Sequence, residues 1–316
     1  MSLPTAARIG VLVLVSLATV AAAAPQAPPP ASAAPAAREP LPPIRHVFVL
    51  MLENQSYAAT FGSRSAAAYL AHTLPARGAL LTHYYAIGHA SLGNYIALVS
   101  GQAPNLATQL DCSTYSDFRA SEPALDAHGQ LRGSGCVYPR LVRSLPDQLE
   151  AAGLSWKAYM EDMGKNPARE SATCGHARLG ATETTNLASR GDQYAAKHNP
   201  FVYFHAIIDD QARCDRHVVN LERLPWDLAS AATTANYIFI TPNLCSDGHD
   251  AHCVNGEIGG LAGIDRFLRT WVPRIEAAPA FIADGMLIIT FDESDGGGAE
   301  GSSACCGERP LPGARF

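Results

Sequence analysis

The amino-acid sequence predicts an α/β fold: a mainly parallel central sheet with helices on both faces. Five apolar runs rich in Val, Ile, Phe and Tyr read as buried strands, at residues 46–52, 155–161, 201–204, 236–241 and 286–291. Helical patterns lie between them, and strands alternating with helices imply a parallel sheet covered on both sides. The first and last runs end in acids, and chemistry in such sheets collects at the carboxyl ends of the strands. Taken in order, the run at 46–52 leads directly into Glu53 and Asn54. Residues 102–138 are rich in Gly, Ser and Ala, hold two cysteines, and read as a disulfide-tied surface excursion near the site. Residues 141–152 place Leu141, Val142, Leu145 and Leu149 at helical spacing, with Gly153 as the stop. Residues 264–278 do the same with Ile264, Phe267, Leu268, Trp271 and Ile275, and Pro273 is expected to kink that helix. No internal repeat is visible.

The chain has 316 residues, 47% of them hydrophobic and 16% charged, which is enough for one large domain. Its formal net charge of -6, with no basic cluster, argues against a nucleic-acid binder. Residues 1–24 read as a secretory signal: Arg8, an apolar core at 9–20, then small residues at 21–24. That core is shorter than the roughly 20 residues a bilayer span needs, so no stable membrane span is expected. Residues 25–43 are almost all Ala and Pro and read as a spacer. A single domain is then expected over 44–316, secreted or periplasmic. The eight cysteines are an even count in an exported chain, which favours disulfides. Local closure suggests Cys112 with Cys136 and Cys245 with Cys253; the partners of Cys174, Cys214, Cys305 and Cys306 stay open.

Three segments carry candidate chemistry. Ser91 sits at the mouth of an expected helix, with Asn94 one turn on and His89 just before it. A serine there is commonly an N-cap. The same geometry offers free amides and a helix dipole to a phosphate oxygen, and a nearby cation would make the hydroxyl a nucleophile. Glu53 and Asn54 offer hard oxygen ligands to a divalent ion, or else cap the next helix. Asp292 and Glu293 end the last strand before a Gly-rich stretch, and two adjacent acids repel unless a cation or solvent offsets them. The densest polar cluster runs from Asn243 through Cys245, Asp247, His249, Asp250 and His252 to Cys253. Its cysteines and histidines invite a zinc reading. A disulfide-closed loop that presents Asp247, His249 and Asp250 to the site is the commoner fate in an oxidising compartment. His198 precedes the run at 201–204; His205, which follows it, reads as structural.

Taken together, these segments resemble the bacterial phosphoesterase family of the alkaline phosphatase-like superfamily, which includes phospholipases C and secreted acid phosphatases. The likeness rests on Glu53-Asn54-Gln55-Ser56, on the stretch from His89 through Ser91 and Asn94 to Tyr95, on Lys197-His198-Asn199-Pro200 with Asn243 to Asp250, and on Phe291-Asp292-Glu293. It implies an alkaline phosphatase-like fold and a hydrolase of phosphoric esters, most simply an acid phosphatase acting on phosphomonoesters, phosphoinositides among them. Ser91 would be the nucleophile that becomes phosphorylated, with Asn94 and His249 in the catalytic set and His89, His198 and Asn243 near the substrate. Glu53, Asn54, Asp292 and Glu293 would hold a divalent metal ion of unspecified identity. The partner would be a phosphorylated small molecule or a phospholipid head group. Two departures stand out. Gly93 occupies a position where the family usually has Pro, which predicts a looser nucleophile turn. The family also continues past the Gly-rich stretch with a strand and a His-containing segment, whereas this sequence stops at Phe316; the expectation is a fold truncated at its C-terminus, with weak or absent activity if that segment supplies a site residue. The rival readings are a phospholipase C cutting phosphodiesters, and a secreted binding protein on an inactive phosphatase scaffold.

Overall fold

A computed structural model describes residues 42–295. The expected signal, most of the spacer, Cys305 and Cys306 lie outside the described residues. In chain order the elements are β1 (His46–Leu52), α1 (Tyr57–Phe61), α2 (Ser91–Ser100), β2 (Arg119–Ala120), β3 (Gly133–Ser134), α3 (Leu145–Ala151) and β4 (Trp156–Met160). There follow α4 (His205–Ile208), α5 (Gln211–His217), β5 (Val218–Asn220), α6 (Leu224–Asp227), β6 (Tyr237–Thr241), α7 (Gly260–Glu276), α8 (Pro279–Asp284) and β7 (Gly285–Phe291). The main sheet has the order β5-β4-β6-β1-β7 and every pairing in it is parallel. β1 lies between β6 and the edge strand β7, with Leu50 in register with Ile240 on one side and Ile289 on the other.

Period-2 alternation on β1 sends its side chains to two separate cores. Val49 and Met51 pack with Tyr95, Ile96 and Val99 of α2. Phe48, Leu50 and Leu52 pack with Ile264, Leu268, Val272 and Ile275 of α7. Because both faces of β1, β4 and β6 are covered, those strands read as apolar runs; the edge strand β7 is apolar along most of its length although Met286 and Ile288 are exposed on one face.

The run at 201–204 is not a strand. Pro200–Tyr203 forms a 3₁₀ turn in which every residue is buried. Pro200 fixes the backbone at its start and removes a ladder donor, and Phe201 wedges between Trp156 and Phe239, with ring centroids 5.1 and 5.2 Å away. A short apolar run cannot be told from a buried turn by periodicity. The fifth strand is instead β5, three residues long at the sheet edge, too short to leave a pattern. The helix expected at 141–152 begins only at Leu145, because Ser144 is its cap: Asp147 Oδ2 accepts the Ser144 N–H at 2.8 Å. It stops at Gly153, which takes φ 72°. The helix expected at 264–278 starts four residues early, and Pro273 lies inside it.

The excursion at 102–138 carries the antiparallel β2–β3 ribbon and is tied by Cys112–Cys136. Cys245–Cys253 forms as expected, and Cys174 pairs with Cys214. Among the described residues, no helix is long and apolar enough to cross a membrane.

Candidate active site

The carboxyl ends of β1, β6 and β7 converge. Glu53 follows β1, and its N–H donates to the Asp247 carbonyl at 2.9 Å; the Asp292 N–H donates to the Leu52 carbonyl at 3.0 Å. These two bonds fix three acid-bearing segments in one place. Ser91 opens α2 on the same side, and its Oγ donates to Glu53 Oε2 at 3.0 Å. Both residues are buried.

The loop after β6 brings Asp247 to Glu53. Asn243 shapes it: its Oδ1 accepts the N–H groups of Cys245 and Ser246 at 3.0 and 2.9 Å, and its Nδ2 donates to Asp162 Oδ2 at 2.7 Å. The Cys245–Cys253 disulfide closes the loop. Gly248 is required there. It takes φ 111°, and a Cβ on it would lie 2.8 Å from the Glu53 carbonyl oxygen and 2.6 Å from Ile264 Cδ1.

His198 lies between the acids, with Nε2 3.2 Å from Glu53 Oε1 and Nδ1 3.1 Å from Asp247 Oδ2. Tyr95 stacks on its ring, with centroids 5.3 Å apart and planes 6° from parallel. Glu53, His198 and Asp247 form a fully buried group able to hold a metal ion, their ligand atoms within 4.8 Å of one another. Burial pushes the His198 imidazole well below its ordinary pKa, helped by Lys197 and His249. A neutral imidazole has one N–H and one lone pair. It can therefore donate to only one of the two carboxylates, and the other ring nitrogen faces an oxygen lone pair to lone pair.

Further buried atoms show the same deficit. Glu53 Oε1, His198 Nε2 and Asp292 Oδ2 have no hydrogen-bond partner. The Asn54 carboxamide approaches Glu53 Oε2 to 2.7 Å and Asp292 Oδ1 to 3.3 Å. It donates to both with its nitrogen turned inward; with its oxygen inward, three oxygens meet and need a cation among them. Asn54 itself is held at φ 47°, unusual for a residue with a side chain. Burial raises the Glu53 carboxyl well above its usual range, with Asp292 and Asp247 adding to it. Burial does the same to Asp247, against the pull of the His249 N–H, with Asp292 adding. Burial lifts Asp292 to about 6, and lifts Glu293 to about 9 with help from Asp292 and Asp111. The three acids held together in this way, Glu53, Asp247 and Asp292, fit a cation.

A second, more open tier lies beside Ser91. Lys197 Nζ is 3.2 Å from Asp111 Oδ2 and 3.2 Å from His249 Nε2. Burial opposes its charge, but Asp111 and Glu53 outweigh burial and raise its pKa. The ammonium has no acceptor capacity, so His249 Nε2 accepts and Nδ1 carries the proton toward Asp250 Oδ1, 2.8 Å away. The His249 side chain is 28% exposed and that of His89 25%, which puts both at the mouth.

The structure thus brings together Glu53, Asn54, Ser91, His198, His249 and Asp292. Three expected site residues sit differently. Glu293 turns to His89, with Oε2 3.0 Å from Nδ1. Asn94 turns back on its own loop: Nδ2 donates to the Gly88 carbonyl at 2.9 Å, and Oδ1 accepts the Ile87 N–H at 3.0 Å. Asn243 is consumed in shaping its loop. Gly93 is packed rather than loose, since a Cβ there would lie 3.1 Å from Pro104 Cγ. Asp247 was expected to be presented to the site by its loop, though not as one of the metal-holding residues; Lys197 and Asp111 were not among the expected site residues. Asp247 stood within the polar cluster and Lys197 beside His198 in the quoted motifs, but nothing in the sequence marks Asp111, which lies in the excursion. His205 is tied to Asp117 and Asp209 at 2.9 Å each, as its structural reading requires.

A groove of about 980 Å³ runs from His89, Asp292 and Glu293 along β7, floored by Leu81, Tyr84, Met286 and Ile288 among others.

A family model for the phosphoesterase family matches residues 64–297. The chain is 28% identical over 224 residues to the phosphate-repressible acid phosphatase of Penicillium chrysogenum, covering 70% of this chain and 42% of that protein. It is 26% identical over 251 residues to a probable acid phosphatase of Kluyveromyces lactis, covering 79% and 48%. It is 28% identical over 296 residues to the phosphatidylinositol-3-phosphatase of Mycobacterium tuberculosis, covering 92% and 75%. The chain spans about half the length of the fungal relatives it matches.

Proposed function

The chain belongs to the phosphoesterase family, and from that premise we propose that it is an exported phosphatase that hydrolyses phosphomonoesters through a phosphorylated Ser91. The contact between Ser91 Oγ and Glu53 Oε2, at 3.0 Å in the first turn of α2, carries this reading. Glu53 accepts the hydroxyl proton and so turns the oxygen lone pairs toward the open tier. As the Oγ–P bond forms, the ester P–O bond breaks and the alcohol leaves, taking its proton from solvent at the mouth, because the one N–H of His249 is held by Asp250 and its Nε2 accepts from Lys197. Water then attacks phosphorus, phosphate departs, and the proton returns to Ser91 Oγ. Lys197 neutralises phosphoryl charge beside the reacting atoms.

Glu53, His198 and Asp247 would hold a divalent ion, with Asp292 and Asn54 next to them. When bound, it would supply charge stabilisation to the phosphoryl group and the attacking oxygen. Carboxylates favour hard ions, and the imidazole admits zinc or iron as well. The acid phosphatase names of the relatives support the monoester, and three disulfides fit an oxidising compartment.

The apolar groove beside His89 favours a second reading, an amphiphilic phosphoester such as a phospholipid. The M. tuberculosis relative's name fits a monoester of that kind; a phospholipase C would cut the diester. The deciding experiment compares release of p-nitrophenol from p-nitrophenyl phosphate and from p-nitrophenyl phosphocholine. Turnover of the monoester alone supports the phosphatase. Turnover of the choline diester supports the phospholipase. No turnover of either by a folded, monodisperse protein overturns both in favour of a binding protein.

A further inference from the structure

The first amide beyond Ser91 does not face open space. The Leu92 N–H donates to Asp111 Oδ1 at 3.1 Å. The other oxygen of that carboxylate, Oδ2, is 3.2 Å from Lys197 Nζ. One internal anion therefore engages both an amide at the positive end of α2 and the buried ammonium that also contacts His249. These are the groups that a phosphoryl oxygen next to Ser91 needs. A carboxylate presents what a phosphate edge presents: two acceptor oxygens and negative charge.

Asp111 is held in this position from behind. Its backbone takes φ 48° and that of Cys112 takes φ 55°, a left-handed pair of residues that both carry side chains. The Cys112–Cys136 disulfide anchors the pair, and the Asp111 carbonyl accepts from Asn186 Nδ2 at 2.9 Å. The Asp111 side chain is 30% exposed, against 10% for Lys197. The carboxylate thus lies on the solvent side of the ammonium, where it can leave without unpacking the core.

We propose that Asp111 is a built-in competitor for the phosphate subsite. It occupies the Leu92 amide and Lys197 in the free enzyme, yields them to the substrate phosphoryl group, and returns to help expel product phosphate. This makes Asp111 a residue that sets phosphate affinity, and the inference rests on the reading of Ser91 as the nucleophile.

The test uses Asp111→Asn in the full chain. Asparagine tolerates the left-handed backbone and keeps an acceptor for Leu92, but removes the charge. The inhibition constant for inorganic phosphate, and its dissociation constant by calorimetry, are expected to fall about tenfold, with a matching fall in KM, because a charge that opposes the anion has gone. A merely structural role for Asp111 predicts the reverse, weaker phosphate binding, and that result or an unchanged constant overturns the inference. Lys197→Met provides the second variant, should Asp111→Asn fail to fold: phosphate binding is expected to weaken at least tenfold, and unchanged binding overturns the inference. The reading beneath fails separately: wild-type chain that binds phosphate but does not turn over p-nitrophenyl phosphate removes Ser91 as nucleophile, while the phosphate affinities of the variants still decide the role of Asp111.

Discussion

At the scale of single residues, the site is organised by scarcity of protons and donors. His198 has two ring nitrogens and two carboxylates to serve, but in its neutral form only one N–H. We expect His198→Ala to lower the bound metal per chain, measured by elemental analysis after purification, by more than half; full metal content in a folded variant would exclude it as a ligand. Ser91→Ala should lower turnover by at least about a hundredfold while the fold, by circular dichroism, is kept. A variant that keeps the wild-type rate would remove Ser91 as nucleophile. Asn243→Ala should act through stability, since three hydrogen bonds at 2.7 to 3.0 Å are lost from a buried loop. A loss of about 1–3 kcal/mol by denaturant titration is expected, and an unchanged midpoint would show that the disulfide alone shapes the turn.

At the scale of elements, the loop after β6 does most of the positioning. It carries Asp247 and His249, is closed by Cys245–Cys253, and passes so near β1 that the Glu53 carbonyl leaves no room for a side chain at Gly248. Gly248→Ala should therefore impair metal binding and turnover together, because either the loop or Glu53 must move. Equal activity in Gly248→Ala would mean that the loop is free to shift without consequence. Helix α2 is braced from three sides: Asn94 staples the loop at 87–90, Pro104 packs on Gly93, and Asp111 caps Leu92.

At the scale of the whole molecule, converging strand ends concentrate negative charge where water is excluded. Asp292 at about 6 and Glu293 at about 9 hold their protons more tightly in the folded chain than in the unfolded one, chiefly through burial. The native state therefore carries the extra protons from the ordinary carboxyl range near 4 up to those two values. Stability falls as pH rises through that window. Stripped with EDTA, the protein should melt at a higher temperature at about pH 5 than at about pH 8, and an added divalent ion should raise the melting temperature more at the higher pH, where it no longer competes with protons. A melting temperature that rises with pH in EDTA would contradict the assigned shifts.

The sequence by itself determined the sheet class, four strands, two disulfides and the segments that meet at the site. It could do so because β1, β4 and β6, buried on both faces, and the largely apolar edge strand β7 read as apolar runs, and because the acids and the serine stand directly at element ends. Only the tertiary structure decided the rest. The run at 201–204 became a buried turn through Pro200 and ring packing; β5 was too short to leave a period. His198 packs between Glu53 and Asp247, and Asn243 and Asn94 spend their hydrogen bonds within their own loops and on Asp162. Asp111 reached the site from a surface excursion. Each of these depends on which side chains meet across separations of tens to hundreds of residues, and neither periodicity nor local spacing records such meetings.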